Sequence, residues 1–151
     1  MKKILTTILL VCLLPCIAMA DSVALDVDQY KSGGNIATQS VCSLTAVSAS
    51  GSYTSSTYDL SQIEGAGGIQ MLVQGDGTAK VEIYCSSDGT TFREPESADD
   101  VLTGITKTSG GEADGNVYGE FTWPVSKYAQ VVITETGGSN PITATATLSY
   151  R

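Results

Sequence analysis

Residues 142–150 read ITATATLSY, and their apolar side chains alternate with hydroxyl-bearing ones. Successive side chains of a β-strand point to opposite faces of a sheet, so this pattern predicts a strand with one face on a core and the other in solvent. The same period of two recurs earlier in the chain. The other segments that we predict as strands are residues 23–27, 42–48, 53–60, 69–74, 80–85, 117–123 and 129–135.

About eight short strands, separated by segments rich in Gly, Ser, Thr and Asn, predict an all-β fold in the form of a single antiparallel β-sandwich. An immunoglobulin domain carries its tryptophan between its paired cysteines. Here Trp123 follows both Cys42 and Cys85, so we expect a jelly-roll-like topology instead. The sequence shows no helical period apart from a turn at residues 97–102.

The first 20 residues have the parts of a secretory signal peptide. Lys2 and Lys3 precede an apolar run over residues 4–17, and Ala18 and Ala20 supply the small residues at the cleavage site. The apolar run is too short to cross a bilayer well. We therefore expect a secreted or periplasmic protein with no membrane span in the mature chain.

Cleavage of the signal peptide sets the predicted domain organisation. Residues 1–20 would be removed, residues 21–41 would form an N-terminal strand and a flexible linker, and residues 42–151 would form the β-sandwich domain. A lipoprotein anchored through Cys16 is the alternative outcome of processing. In either case the mature chain loses two lysines and keeps all 16 acids, so its net charge falls from −8 to −10. A net negative charge of this size repels polyanions, and it therefore disfavours nucleic acid and anionic membranes as partners.

Cysteine and histidine content bounds the chemistry further. Removal of the signal peptide leaves two of the four cysteines, Cys42 and Cys85, and in an exported chain this predicts one disulfide. The chain contains no histidine. That composition excludes Ser-His-Asp and Cys-His catalysis, together with histidine-ligated zinc or copper.

Three Asp-Gly pairs stand next to predicted strands, at Asp76-Gly77, Asp88-Gly89 and Asp114-Gly115. Hairpin turns need residues with φ above zero, and Asp-Gly supplies them at low cost, so we interpret all three pairs as structural turns. Calcium bound by Asp76, Asp88, Asp114 or the pair Asp99 and Asp100 is the alternative. None of these acids has the ligand spacing of an EF-hand loop, so we expect no metal and no cofactor.

Two functional alternatives rest on side chains that could meet in space. Tyr84, Tyr118 and Trp123 could form a sugar-stacking platform, as in carbohydrate-binding modules, although Trp123 shares the phase of Phe121 and is expected in the core. Tyr84 and Tyr118 are therefore the candidate ligand-binding residues. A histidine-free hydrolase that uses two paired carboxylates is the second alternative, and no residue can be named as catalytic.

A resemblance covers roughly residues 58–150. The order of YDLSQIEG, GDGTAKVEIYCSSDGTTF, TKTSGGEADGNVYGEFTW and KYAQVVITETGGSNPITATATLSY resembles small β-sandwich proteins of phage particles and related exported bacterial proteins. The resemblance implies a structural or adhesive role and carries over no site residues. We therefore favour a non-enzymatic protein with a structural, adhesive or assembly role, whose partner outside the cytoplasm is a protein or a glycan.

The predicted N-terminal strand offers a route to self-assembly. Residues 23–27 alternate in the same way as the later strands and precede a linker rich in small and polar residues. This strand could complete an edge of its own sandwich. Alternatively it could be donated to a neighbouring subunit, resembling the N-terminal extensions of chaperone-usher pilins, and so build homo-oligomers.

Overall fold

The computed structural model describes residues 36–63, 65–96 and 100–151. In these ranges the regular secondary structure is entirely β, and no helix there is long and apolar enough to span a bilayer. The predicted signal peptide, the predicted strand at residues 23–27 and residues 97–99 of the predicted turn lie outside the described residues. The strands are β1 (Ala37–Val47), β2 (Ser52–Thr54), β3 (Tyr58–Asp59), β4 (Ala66–Gly75), β5 (Ala79–Ser86), β6 (Leu102–Ile105), β7 (Asn116–Thr122), β8 (Tyr128–Glu135) and β9 (Ile142–Tyr150).

The strands form two antiparallel sheets, which we name after their inner strands. The β9 sheet has the order β1-β9-β4-β7, and the β8 sheet has the order β2-β8-β5-β6, with β3 also paired to β8. The pairs β1·β9, β2·β8, β4·β7 and β5·β6 are nested, like one long hairpin, and the pairs β4·β9 and β5·β8 roll that hairpin into two layers. This connectivity is the jelly roll, so the predicted fold class is confirmed.

The core lies between the sheets and follows the alternation of the sequence. Ile142, Ala144, Ala146 and Leu148 of β9 are each at most 2% exposed, as the ITATATLSY pattern predicts. They belong to one cluster with the buried aliphatic side chains of β4, β5 and β8. Full burial of one such side chain contributes about 1.5–3 kcal/mol, so this cluster is the main source of stability.

One predicted strand, residues 53–60, is interrupted in the structure. Ser55 lies between β2 and β3, where its backbone N–H donates to Val131 O at 2.9 Å. Its side-chain Oγ accepts from the Val131 N–H at 2.9 Å, in the place of a backbone carbonyl. The serine side chain therefore continues the hydrogen bonding to β8 where the backbone leaves the ladder. As a result, β2 and β3 together occupy a single strand position at the edge of the β8 sheet.

The predicted disulfide is not formed, and Cys42 and Cys85 are free thiols. Cys42 lies on β1, at an edge of the β9 sheet, whereas Cys85 lies on β5, the third strand of the β8 sheet. The Cys42 thiol donates to Ala144 O at 3.5 Å, and burial raises the pKa of both thiols. Alternation places both residues on the apolar phase, but it does not determine which strands face each other across the core.

The turn at Asp76-Gly77 is not a hairpin turn, because β4 and β5 lie in different sheets. The same is true of Asp114-Gly115, which lies between β6 and β7. A close return occurs after β5, where Cys85 and Arg93 exchange backbone hydrogen bonds of 2.8 and 2.9 Å. In a jelly roll most connections cross between sheets, so a turn residue between two strands does not by itself indicate that they pair.

Candidate functional site

The outer face of the β9 sheet is formed by the side chains that alternate with the core. Its members are polar or small, with the exceptions of Leu72 and Tyr118. Glu120 is the one charged residue among them, in a chain that carries 16 acids. The face consists of Thr38, Ser40, Ala46, Gly68, Gln70, Leu72, Gln74, Asn116, Tyr118, Glu120, Thr122, Thr143, Thr145, Thr147 and Ser149. The exposed Leu44 borders it at the irregular part of β1, where its N–H donates to Thr145 Oγ1 at 3.0 Å.

Strand register arranges this face in rows. One row carries Ser40, Thr147, Gln70 and Tyr118, and the next carries Thr38, Ser149, Gly68 and Glu120. Neighbouring strands lie about 4.8 Å apart, so each row extends roughly 14 Å across the sheet. The rows present hydroxyl and amide groups, which both donate and accept hydrogen bonds.

Tyr118 is the one aromatic residue in these rows, and it is 56% exposed. Its phenol end lies across Gly68 of the neighbouring strand, since a Cβ built on Gly68 would lie 2.6 Å from the Tyr118 Cζ. Any larger residue at position 68 would displace the ring. The glycine therefore lets the ring lie against the sheet, while the other side of the ring stays open to solvent.

Gly67 leaves room for aromatic rings in the same way, but on the inner face of the sheet. A Cβ built there would lie 2.7 Å from the Phe121 Cζ and 2.9 Å from the Trp123 Nε1. Phe121 and Trp123 pack edge to face, with ring centroids 4.9 Å apart and an interplanar angle of 73°. Two successive glycines of β4 thus admit aromatic rings from both sides of the sheet, one set in the core and one outside it.

A cleft of about 170 Å³ lies beside Tyr118. Its lining includes Gly68, Glu120, Ser149 and Arg151 as well as the tyrosine. The cleft therefore combines an aromatic ring with a carboxylate, a guanidinium and a hydroxyl group. This set can stack on a flat ligand and exchange hydrogen bonds at its edges.

The two tyrosines predicted as ligand-binding residues do not share a surface. Tyr118 lies on the outer face of the β9 sheet, whereas Tyr84 lies on β5 of the β8 sheet and is half-buried. Trp123 is 7% exposed and belongs to the core. Sequence reasoning missed Gly68, although a glycine pair inside a strand pattern indicates close approach by another group.

Carboxylates gather on the outer face of the β8 sheet. Oxygen atoms of Glu82, Glu94 and Asp100 lie within 4.8 Å of one another. Lys80 Nζ lies 2.6 Å from a Glu82 oxygen and 3.7 Å from an Asp100 oxygen. The hydrogen bond with Glu82 raises the pKa of Lys80. Lys80 therefore supplies positive charge beside two of the three carboxylates, those of Glu82 and Asp100.

The aspartates weighed as calcium ligands have other partners. Lys107 Nζ contacts Asp76 in an exposed ion pair. Asp88 Oδ1 accepts from the N–H groups of Thr90 and Thr91 at 2.8 Å each, and these bonds hold the pKa of Asp88 well below its usual range. Asp114 Oδ1 accepts from the Asn116 N–H at 2.9 Å. Asp99 lies outside the described residues.

The glycines of the three turns differ in backbone conformation. Gly89 and Gly115 have φ of 74° and 80°, the left-handed region that favours glycine. In the first turn Gly75 rather than Gly77 has positive φ, at 95°. A Cβ at Gly77 would instead lie 2.5 Å from Asn140 O, so that position requires glycine for close approach.

Glu135 is a buried carboxylate that the sequence did not single out. It is 1% exposed, and it accepts backbone N–H bonds from Ser50 at 2.8 Å, Thr78 at 3.1 Å, Gly137 at 2.6 Å and Gly138 at 2.9 Å. The bonds from Ser50 and Thr78 make the largest contribution in lowering its pKa from 4.5 to about 2. One side chain thus ties together the connections β1–β2, β4–β5 and β8–β9, and its role is structural.

No protein-family model and no curated protein matches the chain. Among solved structures, the fold is similar to the crystal structure of PliG from Aeromonas hydrophila, a periplasmic inhibitor of g-type lysozyme. That similarity has a TM-score of 0.43 and 11% identity, and it covers 79% of this chain and 89% of that chain. At this level it carries no argument about function, which must come from the residues themselves.

Proposed function

We propose that the protein is an exported, non-enzymatic binding protein with an adhesive or assembly role, and that it binds through the outer face of the β9 sheet. The observation that carries the proposal is the exposed ring of Tyr118, held across Gly68 in a face with a single charged residue. Export rests on the signal-peptide pattern of residues 1–20.

The composition of the face supports binding on energetic grounds. Charged groups are costly to desolvate when they leave water without a partner. A face on which Glu120 is the one charge avoids most of that cost. Its serine and threonine side chains also lose less conformational entropy on binding than lysine or glutamate would. A partner can therefore cover this face at a smaller cost than the acid-rich remainder of the surface.

The non-enzymatic part of the proposal rests on the available groups. The chain has no histidine, and the outer face of the β9 sheet carries one carboxylate, that of Glu120. Glycoside hydrolysis normally uses two. The carboxylates of Glu82 and Asp100 are on the other sheet and are in contact with Lys80. These observations favour recognition over catalysis.

Two matched glutamine variants test which face binds. Gln70 lies in the middle of the proposed face and donates to Asn116 Oδ1 at 3.1 Å. Gln130 lies on the outer face of the β8 sheet and donates to Thr57 Oγ1 at 3.3 Å. Each would be replaced by lysine in the mature protein. The readouts are co-sedimentation with isolated envelopes of the producing cells and self-association by sedimentation velocity.

We expect Gln70→Lys to weaken envelope binding or self-association by about tenfold, because it places an unpartnered charge under the ligand. Gln130→Lys should behave as the unmodified protein does. If both variants match the unmodified protein, or if Gln130→Lys alone loses binding, the outer face of the β9 sheet is not the binding surface.

A further inference from the structure

We infer that the cleft at Tyr118 binds a neutral glycan chain, with one pyranose ring stacked on the exposed side of the tyrosine. The inference rests on the proposed function and names the ligand class for the same face. It depends on three features: the placement of the ring, the hydrogen-bonding groups around it, and the charge of the surface.

Placement of the ring comes first. The face of an aromatic ring is electronegative, so it attracts the C–H bonds that a pyranose presents on its flat side. Tyr118 lies across Gly68 with more than half of its surface exposed. Because the sheet already holds the ring on one side, little side-chain freedom remains to be lost on binding. The tyrosine is therefore a preorganised stacking surface.

Groups at the edge of the ring match a sugar's hydroxyls. In the row of Gly68, Glu120 lies on one neighbouring strand and Ser149 on the other, and Arg151 lines the same cleft. A carboxylate accepts from sugar hydroxyls, a guanidinium donates to them, and a serine hydroxyl does both. A pyranose ring stacked on Tyr118 would thus have hydrogen-bond acceptors and donors on both sides of Gly68.

The surface continues beyond one sugar. In the adjacent row Gln70 lies beside Tyr118, and Thr147 lies beyond Gln70, so the polar groups extend across the sheet. The row spans roughly 14 Å, longer than a single pyranose, and it offers amide and hydroxyl groups throughout. An extended chain of sugars fits this shape better than an isolated monosaccharide does.

Charge selects a neutral chain. The protein carries a net charge of −8 before any cleavage, and in the cleft itself the carboxylate of Glu120 is accompanied by the guanidinium of Arg151. An anionic polymer would be repelled by the net charge of the protein, and a cleft with one charge of each sign has no excess of positive charge to offset that repulsion. A cationic partner would be attracted more strongly to the acid-rich parts of the surface than to a face with one carboxylate. The complement of a hydroxyl-rich face with so few charges is an uncharged, hydroxyl-rich ligand.

Calorimetric titration of the mature protein with defined hexasaccharides tests the inference. The probes are cellohexaose, chitohexaose, xylohexaose and mannohexaose, with hexagalacturonate as the anionic control. The protein variants are Tyr118→Ala and Tyr84→Ala, since Tyr84 is the matched outward tyrosine on the other sheet. Melting curves check that each variant is folded, and mass spectrometry checks that each probe is recovered intact.

We expect at least one neutral hexasaccharide to bind, Tyr118→Ala to weaken it by about tenfold or more, and Tyr84→Ala to leave it within about twofold. Binding of hexagalacturonate as tightly as the neutral probes would overturn the inference. So would unchanged binding by a folded Tyr118→Ala, or no neutral binding up to about 5 mM. If no hexasaccharide binds while Gln70→Lys still abolishes envelope binding, the ligand class is wrong and the binding face stands.

Discussion

The two ends of the sandwich use a glutamate in opposite ways, Glu135 at the end of β8 and Glu120 near the end of β7. At the end where β9 begins, Glu135 is 1% exposed and four backbone N–H groups surround its carboxylate. At the end where β9 finishes, Glu120 is exposed and lines the cleft beside Tyr118. The first carboxylate is satisfied by the chain itself and holds loops together. The second has hydrogen-bonding capacity directed to solvent, where a ligand can use it.

The largest expected effect is a difference in stability between alanine variants of these two glutamates. Glu135→Ala leaves several backbone N–H groups without their acceptor, and loss of a buried hydrogen-bond network is among the most destabilising single changes. We expect its melting temperature to fall by on the order of 10 °C. Glu120→Ala should melt within about 2 °C of the unmodified protein, as surface substitutions usually do. Equal melting temperatures for the two variants in calorimetry would contradict the comparison.

The pH dependence of stability tests the role of Glu135 in this comparison. The folded-state pKa of Glu135 is about 2, below its ordinary value of 4.5. Its contribution to stability is therefore complete above pH 4.5 and is lost as the pH falls from 4.5 to about 2. Asp88 also has a lowered pKa, so the informative quantity is the difference between variants. Compared with the unmodified protein, Glu135→Gln should flatten the pH dependence of the free energy of unfolding in this window.

A substitution at Gly68 tests whether this glycine holds the Tyr118 ring in its binding position. The added side chain of Gly68→Val would displace the Tyr118 ring. We expect a cost of about 1–3 kcal/mol from overpacking, together with loss of ligand binding. Gly111→Ala is the control, because a Cβ there meets nothing within 4 Å. Denaturant unfolding and the hexasaccharide titration provide the two measurements. A folded Gly68→Val that binds normally would show that the ring position is unimportant.

The smallest effect is expected at the exposed turn. Asp76→Asn removes the ion pair with Lys107, and exposed pairs of this kind contribute little. The melting temperature should change by no more than about 1 °C, with or without a calcium chelator. A chelator-sensitive melting temperature that the substitution abolishes would instead indicate a metal at this turn.

The alternation of apolar and polar residues predicted the fold, because the sequence of each strand shows by itself which of its side chains face the core of a sandwich. The apolar phase of β9 could be read from residues 142–150 alone, and the burial of those side chains follows it. The partners of a side chain across the fold could not be read in this way. Glu135 and Ser50 are 85 positions apart, so no local pattern indicates their hydrogen bond.

The candidate site was predicted in part for the same reason. Tyr118 was identifiable as an outward aromatic residue, but so was Tyr84, and their strands belong to different sheets. The distinction came from strand order, which places Gly68 beside Tyr118 and leaves the ring exposed. Cys42 and Cys85 satisfied every local criterion for a disulfide, yet the structure has them as free thiols on strands of different sheets.

Chemical-shift mapping on the isotope-labelled mature protein tests the binding face most directly. Titration with the neutral hexasaccharides should shift the amide signals of Gly68, Gln70, Glu120 and Ser149, which surround the Tyr118 ring. The amide signals of Thr78 and Gly137, which bond to Glu135 at the other end, should stay in place. Shifts confined to the Glu135 end or to the outer face of the β8 sheet, or no shifts at all, would contradict a glycan-binding face centred on Tyr118.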